Sequence, residues 1–159
     1  MWGTLDDRER EARRAVISLI AGGKAPGAEA LADALGCSRA ASTELLDALV
    51  DKGFVVRGGT EGSIVAAYPL SAQPTRHRVT LAGGRRVHAL CAMDALGTSQ
   101  LFGTSAAIES SCPHCGQTVR LEIQDGEVQR RDPSTTALWY SRADLLEKRV
   151  EGLNLSAEH

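Results

Sequence analysis

The first 70 residues carry the order of helix and strand patterns that constrains the fold most. Residues 7–21 alternate charged and apolar side chains at helical spacing, and a short second helix is predicted at 27–35. Ser38 can cap a third helix that runs to about Lys52. Two strands around a Gly-rich turn follow in "GFVVRGGTEGSIVAAYPL". Helix, helix, turn, helix and hairpin in this order predict a winged-helix-like domain over residues 1–70.

The second half of the chain is typical of short strands with few helices. Strands are predicted at residues 76–83, 105–111, 117–123, 127–132 and 137–141, and helices at 85–96 and from Ser141 onward. Gly83-Gly84 marks a break, Asp125-Gly126 a hairpin turn, and His77 is expected to be solvated. We therefore predict an α+β protein, in which the winged-helix-like helical domain packs on a small mixed or antiparallel β-sheet domain with helices, residues 71–159.

The charge balance and the lengths of the apolar runs exclude several classes of protein. With 18 basic and 20 acidic residues the net charge is −2, which gives no general attraction to nucleic acid. No apolar run approaches the roughly 18 residues of a membrane span, and the charged N-terminus lacks the apolar stretch of a signal peptide. We therefore expect a cytoplasmic protein with no membrane partner. Its four cysteines should stay reduced, as metal ligands, reactive thiols or core residues.

The third helix is the element with which a winged-helix protein would read DNA. In "SRAASTELLDALVDK" we expect Arg39, Ser42 and Thr43 to be exposed, beside acidic side chains. DNA-reading helices usually carry more Arg, Lys, Asn or Gln at their N-terminal end. Arg39, together with Arg57 in the wing, is a candidate DNA contact, but two such residues are few. We therefore expect no DNA partner.

Cys91 and Asp94 stand three residues apart in a segment otherwise rich in Ala, Leu and Met. On the helix predicted at 85–96, both side chains would share one face and could point at one atom. A buried thiol beside a carboxylate suits a soft metal, because the thiolate binds the metal and the acid supplies or accepts a proton. The alternative is that Cys91 fills the core while Asp94 faces water or caps a turn.

The segment Cys112-Pro-His-Cys115-Gly resembles a zinc knuckle, in which backbone N–H groups of a tight turn donate to thiolates. One knuckle supplies two ligands, whereas a closed zinc site needs four. Cys91, His88 or His114 would therefore have to complete a site for Zn, Cu or Hg. The alternatives are a redox-active cysteine pair and a turn with only a structural role.

The chain from about residue 64 to residue 123 resembles the alkylmercury (organomercurial) lyase family. Members carry a Cys-Ala-Leu-Asp segment, a Leu-rich stretch and a Gly-x-x-Ala-x-Ile/Val-x-Ser-Ser strand. In this chain Cys91-Ala-Met-Asp94, Gly103 and Ser110-Ser111 occur in the same order. Members also begin with a helical, winged-helix-like domain that is not known to read DNA.

The resemblance implies a lyase that requires no cofactor. Cys91 would be the first catalytic thiol and Asp94 the acid. In such a reaction two thiolates bind the soft Hg(II) of an organomercurial, and a carboxylic acid protonates the departing carbanion. The implied substrate is a small organometal or thiol-reactive compound, and low-molecular-weight thiols would remove the inorganic mercury.

One part of the family pattern is missing. The second catalytic thiol of the family lies late in the chain, ahead of an aromatic pair. The matching stretch here, "DPSTTALWYS" at 132–141, holds hydroxyl residues at 134–136 but no cysteine. A hard, high-pKa hydroxyl binds Hg(II) weakly, so either Cys112 or Cys115 takes the role or the lyase reaction is lost. Three hypotheses stay open: a lyase-like enzyme on a diverged substrate, a non-catalytic thiol protein that binds metal, and a metal-responsive winged-helix regulator.

Overall fold

The computed structural model describes residues 4–58 and 62–138 of the 159-residue chain. The chain divides into two compact units, Met1–Gln73 and Pro74–His159. Among the described residues, the first unit holds three helices and three short strands, and the second holds one helix and five strands. The α+β class predicted from the sequence is thereby confirmed. No helix in these stretches has the length and apolar character needed to cross a membrane.

The helices of the first unit form where the apolar spacing predicts them: α1 Asp7–Ala21, α2 Ala28–Leu35 and α3 Arg39–Asp51. A capping box starts α1, because the Asp6 carboxylate accepts from the Glu9 amide while the Glu9 carboxylate accepts from the Asp6 amide. Ser38 caps α3 as predicted, and its hydroxyl oxygen accepts from the Ala41 amide at 3.2 Å. Local hydrogen bonds therefore set where both helices begin.

The strands of the first unit pair in an antiparallel ladder in chain order: β1 Val55–Gly58, β2 Ser63–Ala67 and β3 Leu70–Ser71. Buried apolar side chains of the helices and strands form the core, among them Val16, Leu31, Leu49, Val55 and Leu70. Each such side chain contributes about 1.5–3 kcal/mol by leaving water. Apolar burial therefore holds the helices on the ladder.

The expectation that Ser42 is exposed on α3 is wrong. Its side chain is fully buried, and its hydroxyl donates to the Ala28 carbonyl at 2.6 Å. This hydrogen bond ties α3 to the first residue of α2. Ser42 is therefore a packing residue and is not available to a ligand.

The strands of the second unit form an antiparallel sheet: β4 His77–Leu81, β5 Arg86–Ala89, β6 Ala106–Ser111, β7 Thr118–Gln124 and β8 Glu127–Asp132. Strand β4 lies between β5 and β6, so that His77 is opposite Ala89 on one side and opposite Ser110 on the other. The hairpin predicted at Asp125-Gly126 joins β7 to β8. Because β5 and β6 are both antiparallel to β4, they run in the same direction and end at the same edge of the sheet.

The helix predicted at residues 85–96 is wrong in its first half, which forms β5. The helix of this unit, α4, spans Ala92–Phe102. Gly83-Gly84 takes φ values of 86° and 82°, which glycine adopts without strain, and turns the chain from β4 back into β5. Val87 and Ala89 are buried and alternate with more exposed neighbours, which is the period of a strand.

Helix α4 packs against β4, β5 and β6. It does so through small buried side chains, which allow a close approach to the sheet: Ala95, Thr98 and Ser99. The expectation that His77 is solvated is wrong, because its side chain is buried. It shares the buried face of β4 with Val79 and Leu81.

Candidate active site at the start of helix α4

Cys91 lies where β5 ends and α4 begins. Its backbone is extended, with φ −145° and ψ 177°, and its sulfur accepts a hydrogen bond from the Asp94 amide at 3.4 Å, so Cys91 is the N-cap of the helix. Asp94 is then the third helical residue, where the partial positive charge of the helix N-terminus favours a carboxylate. The structure therefore brings the two residues together, although Cys91 stands before the helix and not inside it.

The Cys91 and Asp94 side chains are in direct contact. The Cys91 thiol donates to Oδ2 of Asp94 at 3.1 Å, and both side chains are partly buried. The fully buried Thr98 hydroxyl donates to the Asp94 carbonyl at 2.7 Å and holds the first turn of α4 in place. The thiol proton therefore has a fixed acceptor.

Burial raises the pKa of the Cys91 thiol to about 11, and the negative charge of Asp94 adds to the rise. A helix N-terminus usually lowers a thiol pKa. The Asp94 and Met93 amides act in that direction here, but burial and the carboxylate outweigh them. Burial also raises the pKa of the Asp94 carboxyl, against the hydrogen bonds from Cys91 that lower it. The resting pair therefore keeps its proton on sulfur, and the carboxylate is a better proton acceptor than an exposed one.

His88 is held by a neighbour of its own. Its Nδ1 accepts a hydrogen bond from the Thr75 amide at 3.2 Å, which leaves only Nε2 for another partner. Along β5 it alternates with the buried Val87 and Ala89, so its ring lies on the other face of the sheet. The strand geometry thus directs His88 away from the face that carries these buried side chains.

Cys112 and Cys115 lie in the turn between β6 and β7. The Gly116 amide donates to the Cys112 carbonyl at 2.9 Å and closes this turn. The pKa of the Cys112 thiol is lowered by the nearby backbone amides of Cys115 and His114 and by the Cys115 thiol, and the charge of Arg76 lowers it further. Cys112 is partly exposed and Cys115 is exposed. The turn therefore presents two thiols to solvent, and its amides stabilise a thiolate at Cys112.

In the described part of the chain, no three His, Cys, Asp or Glu side chains come together as a site for a metal ion. The predicted metal ligands Cys91, Cys112 and Cys115, with His88 or His114 in addition, are therefore not assembled into one preformed site. What the structure brings together are two pairs, the Cys91 thiol with its carboxylate and the two cysteines of the turn.

Reasoning from sequence missed the position of His77. Its side chain is 5% exposed, and its Nδ1 lies 2.9 Å from Oγ of Ser110. It stands opposite Ala89, two residues before Cys91, and opposite Ser110, two residues before Cys112. The alternation in "HRVTL", which puts His77 on the face of the two apolar residues, was the signal that could have revealed this.

The late stretch 132–141 is described only as far as Leu138. The Thr136 amide donates to the Pro133 carbonyl at 3.0 Å, and the Thr136 hydroxyl is buried with no hydrogen-bond partner among the described residues. Ala137 and Leu138 have no regular secondary structure. The rest of the strand predicted at 137–141 and the helix predicted from Ser141 lie outside the described residues.

The two candidate DNA contacts differ in their surroundings. Arg39 is exposed at the start of α3. Arg57 in β1 forms an ion pair with Asp47 of α3, with 2.7 Å between Nη2 and Oδ1. A carboxylate on the helix thus already neutralises the arginine of the wing.

Comparisons of the sequence identify relatives of one kind. A family model described as "MerB: Alkylmercury lyase" matches residues 70–151, just over half of the chain. Alkylmercury lyases of Bacillus cereus and Clostridium butyricum are each 29% identical over 125 residues, which are 79% of this chain and 55% of the relative. The alkylmercury lyase of Staphylococcus epidermidis is 35% identical over 74 residues, 46% of this chain and 34% of the relative. The chain thus spans about half the length of the curated relatives it matches over the longer alignment.

A solved structure provides the comparison of folds. The mercury-bound form of MerB2 superposes with a TM-score of 0.69 at 23% identity, covering 83% of this chain and 63% of that one. At this identity the likeness establishes the fold. The match to the family model over more than half of the chain establishes the family. The protein described here is a member of the alkylmercury lyase family.

Proposed function

We propose that the protein cleaves the carbon–mercury bond of small organomercurials, with Cys91 as the mercury-binding thiol and Asp94 as the proton carrier. The observation that carries the proposal is the hydrogen bond of 3.1 Å from the Cys91 thiol to Oδ2 of Asp94. It occurs in a chain of the alkylmercury lyase family, in a partly buried position.

The first step is capture of the substrate by Cys91 alone, so the proposed cleavage does not require the second thiol that the family pattern implies. The Cys91 thiol attacks the mercury of R–Hg–X, a sulfur–mercury bond forms, and X leaves as an anion. The thiol proton moves along the existing hydrogen bond to the Asp94 carboxylate, which becomes a carboxylic acid. The high pKa of Cys91 makes this acceptor necessary at neutral pH, because little free thiolate is present.

The second step is cleavage of the bond. Asp94 returns the proton to the carbon atom, which takes the electron pair of the carbon–mercury bond and leaves as the hydrocarbon R–H. Mercury stays on the Cys91 sulfur as Hg(II), and Asp94 is a carboxylate again, so no oxidant or reductant is consumed. The raised pKa of Asp94 supports this role, because a carboxyl that holds its proton more firmly is protonated more readily in the first step.

Release of the product needs a further thiol. A small cellular thiol can exchange with the Cys91 sulfur and carry Hg(II) away, which makes low-molecular-weight thiols the proposed partners. Such chemistry requires reduced cysteines and therefore fits a cytoplasmic location. We assign it to a lyase-like domain at residues 71–159, preceded by a winged-helix-like domain at 1–70. The three helices and the antiparallel ladder of the first unit support the latter assignment.

The test is the release of hydrocarbon from a defined organomercurial. The purified full-length protein, with phenylmercuric ion and an excess of small thiol, is expected to release benzene, measured by gas chromatography of the headspace. In D2O the benzene should carry a single deuterium, because the proton on the thiol exchanges with solvent. Cys91→Ser should abolish release. Cys37→Ser, which changes a cysteine of the first unit, is the matched control and should match the wild-type rate.

Two results would overturn the proposal. Benzene release that persists in Cys91→Ser would assign the chemistry to another group. Tight, stoichiometric binding of phenylmercuric ion without any benzene would leave a protein that binds organomercurials through its thiols and does not cleave them.

A further inference from the structure

We propose that Cys112 and Cys115 form a second mercury site, which takes Hg(II) from Cys91 after the carbon–mercury bond is cleaved. This inference rests on the proposed lyase function, since it names the acceptor of the product of that reaction. In this proposal the pair of cysteines, and not a small cellular thiol, is the first to receive Hg(II) from Cys91.

The course of the strands places the two pairs at the same edge of the sheet. Ala89 and Ser110 both lie opposite His77, and β5 and β6 run in the same direction from there. Cys91 follows Ala89 by two residues and Cys112 follows Ser110 by two residues. Strands β5 and β6 are separated only by β4, which corresponds to roughly 10 Å between their backbones. A product that leaves Cys91 therefore meets the turn of Cys112 within a short distance.

The turn itself holds its two cysteines in a fixed backbone geometry. The Gly116 amide donates to the Cys112 carbonyl and the Cys112 amide donates to the Gln117 carbonyl, each at 2.9 Å, so the backbone closes a tight turn around the two cysteines. Both cysteines are accessible, since Cys112 is partly exposed and Cys115 exposed. The turn thus offers two accessible sulfur atoms that are three residues apart in the sequence.

Because the turn has two thiols, it should bind the product Hg(II) more tightly than the substrate R–Hg⁺. An organomercurial ion R–Hg⁺ has one coordination position open in a two-coordinate complex, so a second sulfur adds little to its binding. Hg(II) has two positions, and the second sulfur then binds intramolecularly at a high effective concentration. Zn(II), by contrast, prefers four ligands, and no further ligand is gathered here among the described residues.

The transfer is a thiol exchange in which atoms and charge balance. The Cys112 thiolate attacks the mercury held on Cys91, and the Cys91–mercury bond breaks. Cys115 forms the second sulfur–mercury bond, and its proton passes to the Cys91 sulfur. The result is a neutral Cys112–Hg–Cys115 bridge and a free Cys91 thiol ready for another substrate.

The first experiment counts turnovers without any added thiol. Fully reduced, desalted protein receives phenylmercuric ion in small portions, and the benzene released is measured. The wild type and the Cys37→Ser control should release about two equivalents, because the turn accepts the first mercury and Cys91 keeps the second. The double variant Cys112→Ser/Cys115→Ser should stop after about one equivalent. Equal yields from the double variant and the wild type would overturn the transfer. A double variant that releases no benzene would also do so, since the turn would then act before cleavage.

The second experiment locates the mercury directly. Crystals of wild-type protein that has reacted with one equivalent of phenylmercuric ion should give an anomalous mercury peak between the Cys112 and Cys115 sulfur atoms. A single peak at Cys91 in these crystals contradicts the transfer.

A third arm separates failure of the transfer from failure of the lyase function. Cys91→Ser, which cannot cleave the substrate, receives one equivalent of Hg(II) alone and is desalted. It should retain the mercury, and the triple variant that also lacks both cysteines of the turn should retain far less. If Cys91→Ser retains mercury but the wild type releases no benzene, the lyase function is rejected and the dithiol site is kept. Benzene release without retention would keep the lyase and reject the site.

Discussion

Cys91 and Asp94 are joined in both directions: the thiol donates to Oδ2 of Asp94 at 3.1 Å, and the Asp94 amide donates back to Sγ at 3.4 Å. The donor of the second bond is the backbone amide, so this bond does not require the carboxylate of Asp94. The two roles of Asp94, as a member of the first turn and as a carboxylate, can therefore be separated by mutation.

Asp94→Asn keeps the shape of the side chain and removes the proton carrier. We expect turnover of phenylmercuric ion to fall by about a hundredfold or more, the usual scale for losing a general acid. Binding of mercury to Cys91 should persist, because the sulfur is unchanged. Benzene release and retained mercury are measured on the same sample. Full turnover in Asp94→Asn would remove Asp94 from the mechanism.

The raised pKa of Cys91 predicts the pH dependence of its modification. The thiolate is the reactive form, so alkylation of Cys91 by iodoacetamide should accelerate about tenfold per pH unit above neutral and level off only near the pKa of about 11. Asp94→Asn removes the negative charge that helps to raise this pKa, so the variant should be alkylated faster at the same pH. Mass spectrometry with fragmentation is required, because all three cysteines between Arg86 and Arg120 share one tryptic peptide. A plateau below pH 9 would contradict the burial of this thiol.

The same carboxylate is expected to cost stability. Burial raises the pKa of Asp94 in the folded protein above its value of 3.8 in a model compound. The protonated carboxyl of Asp94 therefore favours the folded state. This stabilisation is complete below the pKa of Asp94 in the unfolded chain and is lost as the pH rises through its pKa in the folded protein. Asp94→Asn should raise Tm at neutral pH, and the gain should shrink as the pH is lowered towards about 4. Thermal unfolding at both pH values tests this, and a lower Tm of the variant at neutral pH would contradict it.

In the first unit, Ser42→Ala should destabilise the fold by about 1 kcal/mol, because the Ala28 carbonyl loses its partner from α3. The neighbouring Thr43→Ala is the control, since the Thr43 hydroxyl is exposed and bonds only within its own helix. Urea unfolding of both variants measures the difference. Equal midpoints for the two variants would show that the buried hydroxyl contributes nothing.

For DNA we expect no sequence-specific binding at about 0.15 M salt. The net charge is −2, and Arg57 is paired with Asp47. Fluorescence anisotropy with a pool of random duplexes is a suitable measurement. Nanomolar binding that disappears in Arg39→Ala/Arg57→Ala would instead favour the metal-responsive regulator.

The helices of the first unit could be predicted closely because their signals are local. Ser38 before an apolar-periodic stretch and the two glycines after α1 need no tertiary information. Ser42 could not be predicted, because its burial depends on the position of Ala28 on another helix. The sequence around a polar residue of a helix does not show whether a carbonyl of a neighbouring helix will accept its hydrogen bond.

The sequence predicted that Cys91 and Asp94 lie side by side, but it did not predict the local structure that brings them together. The spacing of Cys91 and Asp94 suits a helix and equally suits an N-cap with its third helical residue. The apolar residues before Cys91 are compatible with the period of a helix and with that of a strand. The stretch forms a strand because it pairs with β4. That Cys91 and Cys112 lie at one edge of the sheet follows from the pairing of β5 and β6 with a common neighbour, which no local pattern contains.

Because Cys91 is the N-cap of α4, its sulfur atom can be exchanged for oxygen without a change of the backbone. Helices prefer Ser, Thr, Asp or Asn at the N-cap, where the side-chain oxygen accepts a hydrogen bond from a backbone amide. The backbone around position 91 therefore suits an oxygen atom as well as the sulfur of Cys91. Exchanging sulfur for oxygen changes one atom, leaves the hydrogen bond from the Asp94 amide in place and converts a soft donor into a hard one. For the proposed mercury site, the choice between a soft and a hard ligand atom at position 91 therefore depends on one atom, and we expect the fold to accept either.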